Sequence, residues 1–303
     1  MSRISRIPFY FSPFGIIFLN RLPNTEFIGE KNLDTLNVLF VGDVVGNPGI
    51  GMVTNFLRSF VEKYKIDFVV ANGENAADGK GITDKIAQRF FGAGINVITS
   101  GNHIWDKFQV HEYMMQERNL LRPLNFPKGS FGSGYVIYDL GQKGKVGVLN
   151  LQGRTFMYPI DCPFRTSDWA VEKIKAEASI VIVDMHAEAT AEKVAMGWYL
   201  DGKVSAVVGT HSHIQTADER ILPNGTAYIT DVGMTGPYDS VIGMKKENAI
   251  KRFVYVTPSK YEAAESDAKL AAVVLSIDKE TGKSTSIERI LYPPFDQALN
   301  PKL

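Results

Sequence analysis

Cysteine is nearly absent. Cys162 is the single one in 303 residues, so no intrachain disulfide forms and no thiolate cluster can hold a metal. Beside Pro163 it reads as a small packing residue in a loop. An excess of one charge is missing too. Lys plus Arg and Asp plus Glu both number 33, which leaves no electrostatic footprint for duplex nucleic acid or an anionic membrane. A small anionic ligand stays compatible, because a bound cation supplies charge that a residue count omits. No internal repeat, low-complexity tract or linker divides the chain, and 45% apolar with 22% charged residues describes an ordinary globular protein. Long apolar runs are lacking: residues 7–19 are too short to span a bilayer and are interrupted by Pro8 and Pro13. They follow the basic MSRISR like a signal-peptide core, but no small-residue cleavage site comes after. Residues 1–36 are therefore expected to be an N-terminal extension, a disordered tail or a misassigned start. Residues 37–303 are expected to form one domain, cytoplasmic and without a membrane partner.

From residue 37 the pattern changes. Residues 37–41 (NVLFV), 68–71 and 96–100 read as buried strands, and 50–65 carries apolar residues at helical spacing. Thr83 is the expected N-cap of a helix through Phe91, stopped by Gly92 and Gly94. Later strands fit 135–138, 146–151, 180–184, 206–208 and 227–229, with helices over 167–177 and 191–200. Residues 269–277 and 284–291 alternate enough to form a closing hairpin around 278–282. Continuous apolar strands alternating with helices argue for an α/β fold with a parallel sheet covered on both faces. Residues 153–166 read as a structureless segment that could cap a site.

The polar residues of interest fall in one kind of place. Asp43, Glu74 and Asn102 each follow a strand, as do His186 after VIVDM and His211 and His213 after AVVGT. In α/β sheets ligands bind at that edge, where side chains escape the packed faces. If the chain stays extended through His211-Ser212-His213, both rings point to one side, roughly 6.5 Å apart at ~3.3 Å rise per residue. That spacing suits two ions of a pair ~3.5–4 Å apart, with Glu74 as the bridging carboxylate and Asp43 on one ion. Ligation by N and O without thiolate favours Mn, Fe, Zn or Co. Such a pair supplies a nucleophile at neutral pH and stabilises in-line displacement at phosphorus. His103 is then in reach as the general acid, and Asn75 as a ligand or a donor to a phosphoryl oxygen.

Singly, each residue has a blander reading. Asp43 before GNPG could cap a helix, Glu74-Asn75 could be a turn, and His186 could be a satisfied core histidine. Jointly they do not reduce so easily: of five histidines only His111, expected on a solvated helix face, lies outside these strand ends. A dinucleotide-binding turn is excluded because the glycines fall at 42, 46 and 49, and Asp43 would meet the pyrophosphate. No Lys-Ser/Thr follows those glycines, so a P-loop fails as well.

With GD at 42–43, GNH at 101–103 and GTHSH at 209–213, the chain resembles the calcineurin-like metallophosphoesterase superfamily. The segments LFVGDVVGNPG, NGENAADGKGIT, NLQGRTFM and HAEATAEKVAMGWYLDG resemble its YmdB-like branch, and the likeness runs from about residue 37 to 291. The resemblance implies a four-layer α/β/β/α sandwich, a dinuclear Fe or Mn centre, and opening of 2′,3′-cyclic nucleotides to 3′-nucleotides. It implies that Asp43, Glu74, Asn75 and His213 serve one ion, with Glu74 bridging to a second held by Asn102, His186 and His211. His103 matches the proton donor. Asp43-Val44-Val45 departs from the Asp-x-His of the wider superfamily, and Asn75 fills the vacancy. The expected partner is a small cyclic nucleotide, with Arg154 a weak candidate for binding it and a homo-oligomer open. The alternatives are a phosphomonoesterase or protein phosphatase on the same site, and a nucleotide- or RNA-sensing regulator with slow catalysis.

Overall fold

A computed structural model of the chain describes residues 34–297, so the expectations placed on residues 1–33 lie outside the described residues. The first strand, β1 (Thr35–Val41), begins two residues before the expected Asn37. After it come β2 (Asp43–Val44), α1 (Gly46–Lys63), β3 (Phe68–Asn72), α2 (Asp84–Ala93), β4 (Val97–Thr99) and α3 (Val110–Gln116). The middle of the chain holds β5 (Tyr135–Asp139), β6 (Lys145–Gln152), α4 (Pro163–Lys175), β7 (Ile180–His186), α5 (Thr190–Leu200) and β8 (Ala206–Thr210). The rest is β9 (Arg220–Ile221), β10 (Ala227–Ile229), β11 (Met234–Pro237), α6 (Lys246–Tyr255), β12 (Ala268–Asp278) and β13 (Ser284–Tyr292).

The strands form two sheets rather than the single parallel one that the alternation suggested. One runs β2-β11-β12-β1-β3-β4 with β13 paired to β12, and the other runs β5-β6-β7-β8-β10-β9. Period-2 burial explains the difference. Leu36, Val38 and Phe40 of β1 enter the layer between the sheets, where they meet Val146, Val148, Ile180 and Ile182. Leu39 and Val41 turn the other way, onto Phe56, Leu57 and Phe60 of α1. The outer face of the second sheet packs Leu149, Val183 and Val207 against Ile174 of α4 and Met196 of α5. The central strands β3, β4, β7 and β8 are buried on both faces, but a continuous apolar run cannot say whether a face meets helices or another sheet. The result is a four-layer α/β/β/α sandwich. Each fully buried Val, Leu, Ile or Phe contributes ~1.5–3 kcal/mol of transfer free energy, so the layer between the sheets and both helix-covered faces share the packing.

Local signals held where the chemistry was local. Thr83 Oγ1 accepts the Ile86 N–H at 3.3 Å, and Gly94 takes the left-handed C-cap at φ 107°. Gly92 lies inside that helix instead of stopping it. The segment expected to be structureless ends earlier than foreseen, because Pro163 opens α4 with Cys162 as its N-cap. His111 is not solvated: it is half-buried on α3 with Nε2 unpartnered, stacked on Phe131 and edge-on to Trp105. Trp105 and Phe131 lie outside the helix, while Phe108, three residues before His111 and 5.2 Å from its ring, stands at helical spacing.

The parallel strands β1, β3 and β4 of one sheet and β6, β7 and β8 of the other deliver their C-terminal ends to a common rim. Among the described residues no helix is long and apolar enough to cross a membrane.

Candidate metal centre

The rim collects the residues singled out above. Glu74, two residues past β3, is fully buried and uses both carboxylate oxygens. Oε1 lies 3.0 Å from His186 Nε2 and accepts from Asn75 Nδ2 at 3.0 Å; Oε2 accepts the His103 N–H at 3.1 Å. His186, the last residue of β7, also meets Asn102 Oδ1 at 3.2 Å and His211 Nδ1 at 3.0 Å through the same Nε2. Asn75 Nδ2 reaches His213 Nε2 at 3.1 Å. One atom each from Glu74, His186 and His211 lie within 4.8 Å of one another, a separation a metal ion can bridge. Gly101 is required beside them, because a Cβ there would overlap the His186 ring and the Glu74 carboxylate.

Asp43 supplies a direct sign that these donors suit a cation. It is fully buried, its Oδ2 accepts the His211 N–H at 3.0 Å, and its Oδ1 has no hydrogen-bond partner. Burial raises the Asp43 carboxyl, whose Oδ1 lies 3.9 Å from His186 Nδ1; an interior oxygen without a hydrogen bond costs ~1–3 kcal/mol, which a metal ligand bond would remove. The charges point the same way. Burial alone would lower His186, yet Glu74 foremost, with Asp43 and Asp184, pushes it up to about 9. Burial would raise Glu74, but His186, assisted by His103 and His211, holds it well below the usual carboxylate range. His211 is driven down to about 3 by burial and then by the charge on His186. The cluster thus attracts positive charge into its centre and rejects it from the second imidazole, which leaves a lone pair available there. With a cation in place of the proton on His186, the imidazoles, two carboxylates and an amide oxygen would make the donor set of a borderline divalent ion.

The stretch His211-Ser212-His213 is not extended. β8 ends at Thr210, and the backbone then turns left-handed at His211 (φ 99°) and His213 (φ 65°). The two rings go to different partners: His211 to His186, and His213 to Asn75, with His213 Nδ1 on Ile242 O at 2.9 Å. Left-handed non-glycine residues cost of order ~1–3 kcal/mol each. Buried charge-assisted bonds, ~1.5–3 kcal/mol apiece, offset this. Asp231 Oδ2 accepts Ser212 N–H at 3.0 Å, Ser212 Oγ at 2.7 Å and Lys193 Nζ at 2.8 Å, while Oδ1 accepts Gly233 N–H at 2.8 Å. Lys193 also donates to Thr210 O at 3.2 Å, so a buried Lys-Asp pair clamps the turn from α5 and from beyond β10.

His186 is aimed by its other nitrogen. Nδ1 lies 2.9 Å from Thr210 Oγ1, which donates to Asp184 Oδ1 at 2.7 Å; Asp184 Oδ2 accepts Asn72 Nδ2 at 3.0 Å. Glu188 Oε2 sits 2.9 Å from His211 Nε2. None of Asp184, Glu188, Lys193 or Asp231 was among the residues singled out from the sequence. Asp231 could have been found, since it stands past a strand end like the others.

His103 lines the same cavity, with Nδ1 3.0 Å from Asp106 Oδ2. Arg154 stands apart: it is exposed, its backbone N–H goes to Glu192 at 3.0 Å, and it lines neither opening of the cluster.

A family model described as YmdB-like protein matches residues 39–290, which contain every residue of this cluster. The chain belongs to the YmdB-like family. Among its relatives is a Bacillus subtilis (strain 168) protein named 2′,3′-cyclic-nucleotide 2′-phosphodiesterase. It is 50% identical over 256 residues, 84% of this chain and 97% of its own. Two solved structures share the fold. One is a hypothetical protein from Thermus thermophilus, 40% identical with a TM-score of 0.79, covering 85% of this chain and 99% of that one. The other, described as a novel phosphatase from Mycoplasma pneumoniae, is 34% identical with a TM-score of 0.80 and covers 85% and 93%. A YmdB-like chain of this length therefore carries the whole fold of its relatives.

Proposed function

We propose that this protein is a metal-dependent phosphodiesterase that opens 2′,3′-cyclic nucleotides to 3′-nucleotides. The observation that carries the reading is the cluster around the fully buried Glu74 and His186, with Asp43 Oδ1 lacking a hydrogen bond, in a chain half identical to a relative named for that reaction. Asp43, Glu74, Asn75 and His213 would hold one ion; Glu74, Asn102, His186 and His211 would hold a second. Fe or Mn suits this mixture of imidazole, carboxylate and amide. When bound, such ions supply a nucleophile at neutral pH and neutralise charge on the phosphoryl oxygens.

The protein's own groups do the rest. The Asn75 amide, already beside Glu74 and His213, is placed to donate to a phosphoryl oxygen. Asp106 engages Nδ1 of His103, which leaves Nε2 to hold the proton for the departing oxygen. The buried clamps on His186 and His211–His213 keep the donors in place without reorganisation during the reaction, the condition under which electrostatic stabilisation is most effective. The segment 153–162 stands beside Asn102 and His211, with Phe156, Met157 and Tyr158 at one opening. A wall there favours a diester with an organic group over an unguarded phosphomonoester site. Cytoplasmic location and self-association remain part of this reading as expected from the sequence.

The deciding assay is hydrolysis of 2′,3′-cyclic AMP with added Mn²⁺, comparing wild type with Glu74→Gln. Metal-dependent release of 3′-AMP, lost in the variant, is the expected result. No turnover above the variant, with metal shown to be bound, would overturn the cyclic-diester reading.

A further inference from the structure

The cluster opens on two sides, and a cyclic mononucleotide needs one of them. One opening, a cavity of ≈ 420 Å³, runs from Glu74, His103 and His211 out to Ile242, Arg252 and Phe253. The other, ≈ 320 Å³, runs from Asn102 and His211 to Phe156, Met157 and Tyr158. His211 belongs to both, so both start at the same reacting position.

Each opening ends in aromatic surface held out in solvent. Phe253 is 77% exposed, Phe156 87% and Tyr158 72%. The segment that bears Phe156 and Tyr158 is not a loose tip. The Glu192 carboxylate accepts the Arg154 and Thr155 N–H groups at 3.0 and 3.1 Å, and the Met157 sulfur accepts Glu188 N–H at 3.4 Å. At its far end the segment is tied by Asn125, whose Nδ2 donates to Gln152 O at 2.7 Å and Asp161 O at 2.9 Å. On the opposite side Lys80 Nζ lies 5.3 Å from the Tyr261 ring centre, and both residues line that cavity. Arg252 forms no ion pair among the described residues, so its charge faces that opening uncompensated. Rigid exposed aromatics with a few cations are the elements that bind single-stranded nucleotides, each base stacking on a ring and the cations tracking phosphate.

A 2′,3′-cyclic nucleotide carries both ester oxygens on one ribose, so its one base fills one opening. A linear diester has a nucleoside on each side of phosphorus and fills both. We propose that the site also hydrolyses linear phosphodiesters between two nucleosides, in dinucleotides and short single strands. This rests on the cyclic-nucleotide reading of the same cluster. His103 lines only the Phe253 opening of the two, which makes that the leaving-group side. The nucleoside that keeps its 3′-phosphate then stacks on Phe156 and Tyr158, and the departing one on Phe253 beside Arg252. A water oxygen bonds to phosphorus while the P–O5′ bond breaks, and its electron pair leaves on O5′. O5′ takes the proton from His103; the water's surplus proton, released to solvent, balances the one that recharges His103. The products are a 3′-nucleotide and a nucleoside with a free 5′-hydroxyl.

The test uses ApA bearing a 2′-O-methyl group, which cannot cyclise, alongside 2′,3′-cyclic AMP, with Glu74→Gln as background. Wild type is expected to yield 2′-O-methyl-3′-AMP and adenosine. Phe253→Ala is expected to lower the ratio of kcat/KM for the dinucleotide over the cyclic substrate at least about fivefold, the low end of what losing one stacked base costs. Phe156→Ala is expected to lower both. Both phenylalanines are exposed, so neither substitution opens a core cavity. Turnover of the cyclic substrate alone would overturn this inference and leave the earlier reading standing; turnover of neither would overturn both. An unchanged ratio in Phe253→Ala, or 5′-AMP as product, would refute the two-sided arrangement.

Discussion

The two sheets contribute unlike halves to the cluster. From the first come oxygen and amide donors, Asp43, Glu74, Asn75 and Asn102; from the second come the imidazoles of His186, His211 and His213. The halves are also held differently. On the first sheet the support is local: Glu74 N–H reaches back to Asn72 Oδ1 at 3.1 Å, Asn75 bonds to Glu74, and Gly101 makes room for the donors around it. On the second sheet the support crosses between elements: Thr210 of β8 joins Asp184 of β7 to His186, and Lys193 of α5 meets Asp231 behind the left-handed turn. Carboxylates crowded near one another repel and are drawn in by a cation, so they need little aiming. Imidazoles present one lone pair in one direction, and each needs a second partner to fix its ring.

If that contrast is right, the halves should fail differently. The largest effect belongs to Glu74→Gln, which removes charge at the point where both sheets meet. Activity on 2′,3′-cyclic AMP should fall more than ~100-fold, beyond the 10- to 100-fold typical for a group behind a ligand. Folding should survive, because Gln keeps the volume and an acceptor oxygen. Calorimetric titration with Mn²⁺ should show the loss of binding directly.

Next is Lys193→Met. Leaving Asp231 charged and unpaired in the interior should cost about 3–5 kcal/mol, read as a shift in the urea midpoint. The same variant should weaken Mn²⁺ binding, since the turn bearing His211 and His213 loses its clamp. Loss of stability with full metal affinity would show that the pair holds the fold and not the ligands. Metal removal gives a third measure: chelation should lower the thermal midpoint of wild type by an amount set by free ion concentration, because the ion binds only the folded chain. In Lys193→Met that difference should shrink.

This contrast also accounts for what the sequence disclosed. Every cluster residue stands at or just past the end of an apolar strand, and such an end is legible from an apolar run of a few residues. The local supports, Gly101 beside Asn102 and Asn75 beside Glu74, came with them. The distant ones did not: Lys193 and Asp231 are 38 residues apart, and a buried lysine on a helix has the same one-letter signature as a solvated one. The turn at 211–213 was misread as extended for the same reason, since what bends it is Asp231. The aromatic rims were illegible too, because exposure of Phe156 or Phe253 depends on what fails to pack over them. α6 carries apolar residues at helical spacing, Ala249, Ile250, Phe253 and Val254, yet Ala249 alone of them is buried.

The finest cut through the comparison is at Thr210. Its hydroxyl joins Asp184 to His186 Nδ1 and also accepts from Asn72 Nδ2 at 3.4 Å, so Thr210→Val keeps the shape of β8 and removes that link. Metal affinity should fall ~10- to 100-fold, the range for losing an outer hydrogen bond to a liganding imidazole. Thr210→Ser, which restores the hydroxyl, should recover most of it. Arg154→Ala serves as the reference for a residue outside the cluster: exposed, it should change stability by no more than ~0.5 kcal/mol. Its kcat/KM should change less than that of Thr210→Val. If Thr210→Val proves as mild as Arg154→Ala, the imidazole of His186 is aimed by Glu74 and Asn102 alone. The second sheet would then rely on the same local support as the first.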